Sequence, residues 1–507
     1  MARARPGACV LERRSPQSTG AARGALLALT LVLAGTSRAR ADDGPGAAGP
    51  DSPDLAGEGL LEEGSTATPA PPPVEPQALS PLPERSYVVP IAETVIFNLG
   101  LWAADRYAFN DPFSRVTFRS IEANLKGGWW YDSDDFSTNE MLHPYSGSVF
   151  HSAARSAGWN FWGAFLLDFA GSLWWKIGGE NGPPSTNDQI STTLAGAILG
   201  ESLFRTSRMV LDRQNNPGVV RWFGSALISP AATVNAVVLR DKIADPDPPV
   251  QSYVGRFSVG VTEGTAETRI GYARATPSGL LSVRLVHGLP GELEPEIPFD
   301  HFVFELDFSS TTLAPWNELT SLSGPTWFLT TRGLILAGSA GLGEDGAMLY
   351  GLFGTYDFGG PTLLRVTESG VGPGVVLSVH PSSTTELDAT LLASATFGSG
   401  GAYVPPTIDR DYRYGYGGFL LADGSLWMAK RVELALTGRA YLIPEGVEGG
   451  NEGLLIGKAA LRVRVGGPHA LGLEGTFTRR WANYAISTYG EHADFTAVTY
   501  SYLFSGS

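Results

Sequence analysis

Cysteine is almost missing from this chain: Cys9 is the only one, and it sits in a stretch that reads as a secretory signal. Disulfides, thiolate metal ligands and a cysteine nucleophile are therefore excluded from everything beyond it. Long hydrophobic runs are scarce as well. The apolar run from Gly24 to Gly35 follows an Arg-rich start and leads into Ala39-Arg40-Ala41, a small-x-small cleavage pattern. It is too short to span about 30 Å of hydrocarbon at about 1.5 Å per residue, so residues 1–41 are expected to be a signal peptide rather than an anchor. Excess positive charge is missing too. The net charge is -15, and with no basic stripe to meet phosphates a nucleic-acid partner is excluded. Also absent are HExxH, a GxSxG elbow, a Walker loop and a GxGxxG turn in a strand–turn–helix context, which removes the usual supports for zincin, hydrolase and nucleotide chemistry. No cofactor or metal is expected.

From Asp42 to about Glu84 the chain is Pro, Ala, Gly, Asp and Glu with almost no aromatics. That composition cannot bury enough apolar surface to offset ordering entropy, and 42–85 is expected to be a disordered linker.

The remainder changes period once, from helical to alternating. Over 86–245, "VPIAETVIFNLGLWAADRY", "SVFHSAARSAGWNFWGAFLLDFAGSLWWKI", "NDQISTTLAGAILGESLFRTSRMVLD" and "GVVRWFGSALISPAATVNAVVLR" carry apolar residues near i, i+3, i+4, i+7 spacing with small residues between them. None contains about 18 charge-free apolar residues, so these helices are expected to pack on protein rather than cross lipid alone. Over 250–507 the period is two. "RVELALTGRAYL" sets Val432, Leu434 and Leu436 against Glu433, Thr437 and Arg439. "GKAALRVRV" sets Leu461, Val463 and Val465 against Lys458, Arg462 and Arg464. "HFVFELDF" and "DFTAVTYSYLF" repeat the pattern. Segments of about 9 to 12 residues with one continuous apolar face fit tilted membrane strands, and only a closed sheet satisfies its backbone in lipid. The expected fold is α+β: a helical module followed by an antiparallel outer-membrane-type β-barrel of about twelve strands. The expected location is the outer membrane, with the periplasm as the runner-up, and the expected partner is outer-membrane lipid.

Within the helical half, "HPYSGSVFHSAARSAGWNFW" and "GGENGPPSTNDQISTTLAGAILGE" stand out. They resemble the bacterial domain of unknown function family 3943, whose pattern is HPYxGxxF, AR-x-x-G-x-x-FW and GE…PSxND…TTxGGxxLGE. The matching residues are His143, Pro144, Tyr145, Gly147, Phe150, Ala154, Arg155, Gly158, Phe161, Trp162, Gly179, Glu180, Pro184, Ser185, Asn187, Asp188, Thr192, Thr193, Gly196, Gly200 and Glu201, over roughly 93–210. Lys176 stands where the pattern has glutamate, and Ala195 replaces one of its paired glycines. The resemblance brings no activity with it.

Two readings of the motif follow. In one, His143, Glu180 and Asp188 form the acid–base site of an envelope enzyme acting on lipid or glycan. In the other, the barrel protein is non-enzymatic and its helical module plugs the barrel or docks beneath it. Tyr145, Arg155, Asp168, Ser185, Asn187 and Glu201 then form a structural polar seam. Ser185 and Asp188 stand at capping-box spacing, and the charges on apolar helices demand partners because an unpaired buried charge costs several kcal/mol.

Overall fold

The computed structural model describes residues 85–211, 217–239, 252–268, 271–310, 312–315, 322–323, 326–360, 365–400, 412–446, 450–484 and 487–506. The expected signal peptide and linker lie outside the described residues.

The strands are β1 (Tyr253–Thr268), β2 (Gly271–His287), β3 (Phe302–Ser309), the short β4 (Thr312–Pro315) and β5 (Leu322–Ser323), β6 (Thr326–Gly341) and β7 (Gly346–Gly360). They continue as β8 (Val366–Ser382), β9 (Thr385–Gly400), β10 (Arg413–Met428), β11 (Val432–Gly446), β12 (Asn451–Gly466), β13 (His469–Tyr484) and β14 (Ser487–Gly506). All but β4 and β5 form an antiparallel wall of twelve strands, closed because β1 pairs with both β14 and β2. Most strands run to 15 residues or more, longer than the alternation suggested. Glycines such as Gly438 and Gly457 read as breaks in the sequence, but they sit inside continuous ladders. The strands are steeply tilted. From Gly418, successive pairs through Ala395, Val371, Gly354, Gly333 and Phe302 reach His287 at one end of β2. In the other sense they run through Leu442, Gly453 and Trp481 to Gly490, near the opposite end of β14.

One end of the wall carries four short connections, 342–345, 383–384, 429–431 and 467–468, together with the longer β2–β3 connection, 288–301; β1 starts and β14 ends there. In outer-membrane barrels the short turns are periplasmic.

Ion pairs that cross the barrel identify its inner face. Asp423 on β10 meets Arg284 on β2 at 2.5 Å and Arg332 on β6 at 3.0 Å, Arg439 on β11 meets Glu305 on β3 at 2.9 Å, and Lys458 on β12 meets Asp307 at 2.8 Å. Glu433, Arg462 and Glu474 continue the network. The outer face of β11–β14 is apolar and uncovered: Leu436 is 66 % exposed, and Leu434, Leu461, Val463, Leu471 and Val498 are exposed with it. Beyond this network the interior has an apolar belt, and past it, toward the end opposite the short turns, buried charges return at Asp357, Glu368, Glu452 and Arg480. Phe353, Leu392, Phe419, Tyr441, Leu454 and Ile456 fill the belt, which period-two reading alone did not distinguish from the charged part.

The helices are α1 (Val88–Ala103), α2 (Phe118–Lys126), α3 (His143–Ser156), α4 (Phe161–Trp174), α5 (Thr186–Ile190), α6 (Gly196–Leu211), α7 (Val219–Ile228) and α8 (Pro230–Val238). π-helical turns extend α1 through Phe109, α4 through Gly179, and join α5 to α6. The run Val88–Phe109 is long and apolar enough to cross a membrane by length and composition, although Glu93, Asp105 and Arg106 keep it short of about 18 charge-free residues, as expected.

The module packs on the outside of the wall, neither inside the barrel nor beneath it. On β6, β7 and β10 the inward residues are Arg332, Asp357 and Asp423, so their odd-numbered-apart neighbours Thr331, Tyr356 and Tyr414 point outward. These outward residues are the ones that touch the module. Ser202 on α6 bonds Thr331 at 2.5 Å, Tyr356 Oη donates to Glu140 O at 2.6 Å, and Asn187 Nδ2 donates to Tyr414 Oη at 3.0 Å. A shared core of Phe136, Phe161, Ile198, Phe299, Phe358 and Phe397 fills the interface. Thr331 and Tyr356 lie well inside their strands, so the contact extends over the middle of the wall.

Within the module the four longest runs alternate in direction. Ser86 N donates to Ala157 O, tying the start of α1 to the end of α3, while α3 begins and α4 ends beside α5. Gly147 on α3 and Gly196 on α6 let these two elements touch through backbone: a Cβ on Gly147 would stand 1.9 Å from Thr192 O.

Candidate functional site

Two buried charge clusters divide the residues that sequence reasoning grouped as one seam. The first lies between α3, α4 and α6 at the level of the wall. His151 Nδ1 is 3.0 Å from Asp168 Oδ2, and its Nε2 is 2.9 Å from Glu201 Oε2. Arg155 clasps Glu201 in a fork, Nε to Oε2 at 2.7 Å and Nη2 to Oε1 at 3.1 Å, the geometry guanidinium and carboxylate planes favour. Arg205 adds a 2.9 Å contact to Glu201 Oε1 and reaches Asp300, on the β2–β3 connection, at 3.4 Å. Arg155 also lies over the Phe204 ring at 5.1 Å. An imidazole with carboxylate oxygens on both nitrogens satisfies them as an imidazolium, so three cations face three carboxylates. The i, i+4 spacings His151/Arg155 and Glu201/Arg205 put each pair on one helix face. Those spacings were the available signal for His151, which sequence reasoning left out of the seam.

The second cluster sits at the rim, level with the start of β10 and outside the spanning part of the wall. It gathers His143, Glu180 and Asp188, with Lys176 at the centre. Lys176 Nζ contacts Asp188 and lies 2.9 Å from Glu180 Oε1, while His143 Nε2 is 3.4 Å from Asp188 Oδ2. Trp175 Nε1 donates to Glu180 Oε1 at 2.5 Å. Asp132 accepts from Asn139 at 2.7 Å and Asn187 at 2.9 Å, and Asn139 also donates to Tyr412 Oη at 2.6 Å. Ser185 caps α5, its Oγ accepting from Asp188 N at 3.3 Å. The capping box is half made, because the Asp188 carboxylate turns toward Lys176 and His143. Tyr145 is engaged through its carbonyl, which accepts from Ser148 Oγ at 2.6 Å.

Burial, reinforced by Lys176, holds the His143 imidazole down to about 4. Burial and the neighbouring Asp188 push Asp132 up to about 6, and burial with Asp132 nearby pushes Asp134 up to about 8. Burial by itself would lower Lys176, but Asp188, Glu180 and Asp132 hold its ammonium well above the usual range. Asp188 is fully buried and Lys176 2 % exposed, leaving only His143 and Glu180 a partial surface. The bases here are therefore spent on a lysine. Among the described residues no group of three His, Cys, Asp or Glu side chains is arranged to hold a metal ion.

The Asp132 shift has a consequence with a definite sign. A carboxyl whose folded value lies above its usual 3.8 binds its proton more tightly when folded, so its contribution to stability declines as pH rises from about 4 to about 6. Asp132→Asn keeps the Oδ1 acceptor for Asn139 and Asn187 and supplies a permanent N–H toward Asp188. This variant should unfold at higher temperature than the parent at pH 8, with the difference closing toward pH 4.5. Thermal unfolding followed by near-UV circular dichroism at the two pH values checks it.

A third feature lies inside the barrel. A cavity of about 920 Å³ opens at the short-turn end and is lined by Arg256, Arg332, Arg462, Arg464, Trp427 and His301 among others. The alternation sets Arg462 and Arg464 opposite the apolar face, but nothing in it signals this space.

Residues 128–231 match the family model described as "Domain of unknown function (DUF3943)", a range shifted toward α7 and α8 from the one the motifs outlined. No curated protein matches the chain. Among solved structures, the COG4313 outer membrane channel from Pseudomonas putida F1 is 11 % identical with a TM-score of 0.31, covering 51 % of this chain and 97 % of that one. The Pseudomonas putida toluene transporter TodX is 9 % identical with a TM-score of 0.22, covering 51 % and 90 %. The outer membrane protease OmpT from Escherichia coli is 9 % identical with a TM-score of 0.22, covering 51 % and 98 %. A closed wall of twelve strands, apolar outside and charged inside, defines an outer-membrane-type β-barrel protein. This one carries the DUF3943 match in a helical module on its outer wall.

Proposed function

We propose that the chain is a non-enzymatic outer-membrane protein whose barrel and helical module form one lipid-embedded body. The carrying observation is the position of the module: it covers the middle of the outward barrel wall and turns apolar side chains away from it. Ile91, Ile96 and Leu99 on α1 are exposed, as are Trp162, Leu166, Phe169 and Trp174 on α4. A helix face of that composition beside a lipid-facing sheet fits hydrocarbon. With lipid as the alternative contact, apolar burial supplies little net drive, and helix association rests on close packing and interhelical hydrogen bonds. The Gly147–Gly196 contact, the wall hydroxyls and the two charge clusters supply these. The acid–base reading finds Glu180 and Asp188 paired with Lys176, and His143 set against the same Asp188.

The near-absence of cysteine makes the test simple. Leu166→Cys and Ile96→Cys, each expressed in the full chain, should resist a membrane-impermeant maleimide in isolated outer membranes and react after solubilisation in denaturant. Arg479→Cys, paired at the surface with Asp494 on the flank of β13, and Phe118→Cys on α2 serve as comparisons for rim exposure. Rapid labelling of Leu166→Cys and Ile96→Cys in intact membranes would place the module in water and sink the reading.

A further inference from the structure

The cavity at the short-turn end holds more hydrogen-bond donors than its own acids use. Asp423 accepts from Arg284, from Arg332 at 3.0 Å and from Thr437 at 2.7 Å. Glu305 takes Arg284 at 3.4 Å and Arg439 at 2.9 Å, and Glu433 takes Arg462 at 3.1 Å with Arg256 more distant at 3.7 Å. After these contacts the Nε–H groups of Arg256, Arg332, Arg462 and Arg464 have no hydrogen-bond partner among the described residues. Arg332 and Arg462 are 4 % and 2 % exposed, so their unpaired edges are deep in the cavity lining rather than on the outer surface. A buried unpaired donor costs about 1–3 kcal/mol, more when charged, and four around one cavity mark a place built for an acceptor. His301 adds the complementary feature: its Nδ1 donates to Gly288 O at 2.8 Å, which leaves Nε2, unpartnered, as an acceptor.

We infer that this vestibule binds a small solute carrying an oxyanion, carboxylate or phosphate, entering from the short-turn end. The guanidinium edges of Arg256, Arg332, Arg462 and Arg464 hold the oxyanion, and His301 Nε2 takes a hydroxyl or amine of the same molecule. The volume, about 920 Å³, lies within the range of small-molecule sites. Asp345, Glu386 and Asp388 also line the cavity, in or near the short turns, so negative charge stands at the mouth and the donors stand deeper. Anion binding therefore requires a ligand small enough to pass the mouth and reach the arginines. The apolar section beyond, around Phe353, Phe419 and Tyr441, ends the vestibule and makes it a one-ended site.

Calorimetric titration of the full chain in detergent micelles at fixed ionic strength, with sodium phosphate in one arm and sodium succinate in the other, tests this. Saturable binding of at least one of them, near one per chain, is expected, and the arm that binds tells phosphate from carboxylate. Arg256→Gln, whose ion pair with Glu433 is long at 3.7 Å, should weaken it at least tenfold. Arg479→Gln, on the outer flank, should leave it unchanged. If Arg256→Gln does not fold, Arg464→Gln in the same lining carries the same expectation. No saturable heat in either arm, or equal affinity in the parent and the folded vestibule variant, overturns the assignment. The maleimide experiment addresses a different surface and stands or falls separately.

Discussion

Arg155→Ala should sharply reduce the yield of folded protein, at a cost of about 3–5 kcal/mol, because it leaves a fully buried carboxylate without its principal partner. Glu201 accepts from Arg155 through both oxygens and is shared by His151 and Arg205, so removing Arg155 leaves three carboxylates facing two cations. The lost stacking on Phe204 and the lost bond to Trp159 O add to the effect. His143→Ala should be mild by comparison. Its imidazole is neutral near pH 7 and its contact to Asp188 is long, whereas Lys176 remains to hold that carboxylate. Heat-modifiable gel mobility of the two variants, read as the folded fraction recovered from outer membranes, separates them. Equal loss in both would mean that the two clusters act as one unit, and a folded Arg155→Ala protein would show that Glu201 is not held as described.

Leu434→Arg should cost about 2–4 kcal/mol if the residue faces the hydrocarbon near its midplane, as expected for a cation on the lipid side of a barrel. Leu434 is exposed on β11 beside Leu461 of β12, on the bare side of the wall. Thr437 is three residues along and faces the opposite way, its Oγ1 donating to Asp423 Oδ1 at 2.7 Å. Thr437→Arg can direct its guanidinium to the same acid inside the barrel and should cost much less. Urea titration of both variants refolded in vesicles gives the comparison. A larger loss at Thr437 than at Leu434 would invert the faces assigned to the whole sheet.

The sheet was largely legible because its alternation is a local property. Glu433, Arg439, Lys458 and Arg462 share one face as the period requires, and Leu434, Leu461 and Val463 share the other. Strand length was not legible, since a glycine inside a ladder and a glycine in a turn look alike in sequence. The side of the wall on which the module packs was hidden for another reason. The informative contacts join Asn139 to Tyr412 and Asn187 to Tyr414, separated by more than two hundred residues, and no periodicity links them. Lys176 was noticed only as a departure from a family pattern, yet it is the cation around which His143, Glu180 and Asp188 assemble. The charges on the apolar helices announced that partners were needed. Which partners met which was decided by α3, α4 and α6 coming together, a tertiary fact.

The hydroxyls on the outward wall have a bearing on how the molecule is made. Thr331 and Tyr356 would face hydrocarbon on a barrel inserted alone, and Asp300 would lack Arg205. The module for its part would carry Ser202 and Arg205 to the bilayer without Thr331 and Asp300. Neither half is a good solute for the membrane until the other arrives. On the proposed lipid-embedded reading, the barrel and the module are expected to enter the bilayer together rather than one after the other.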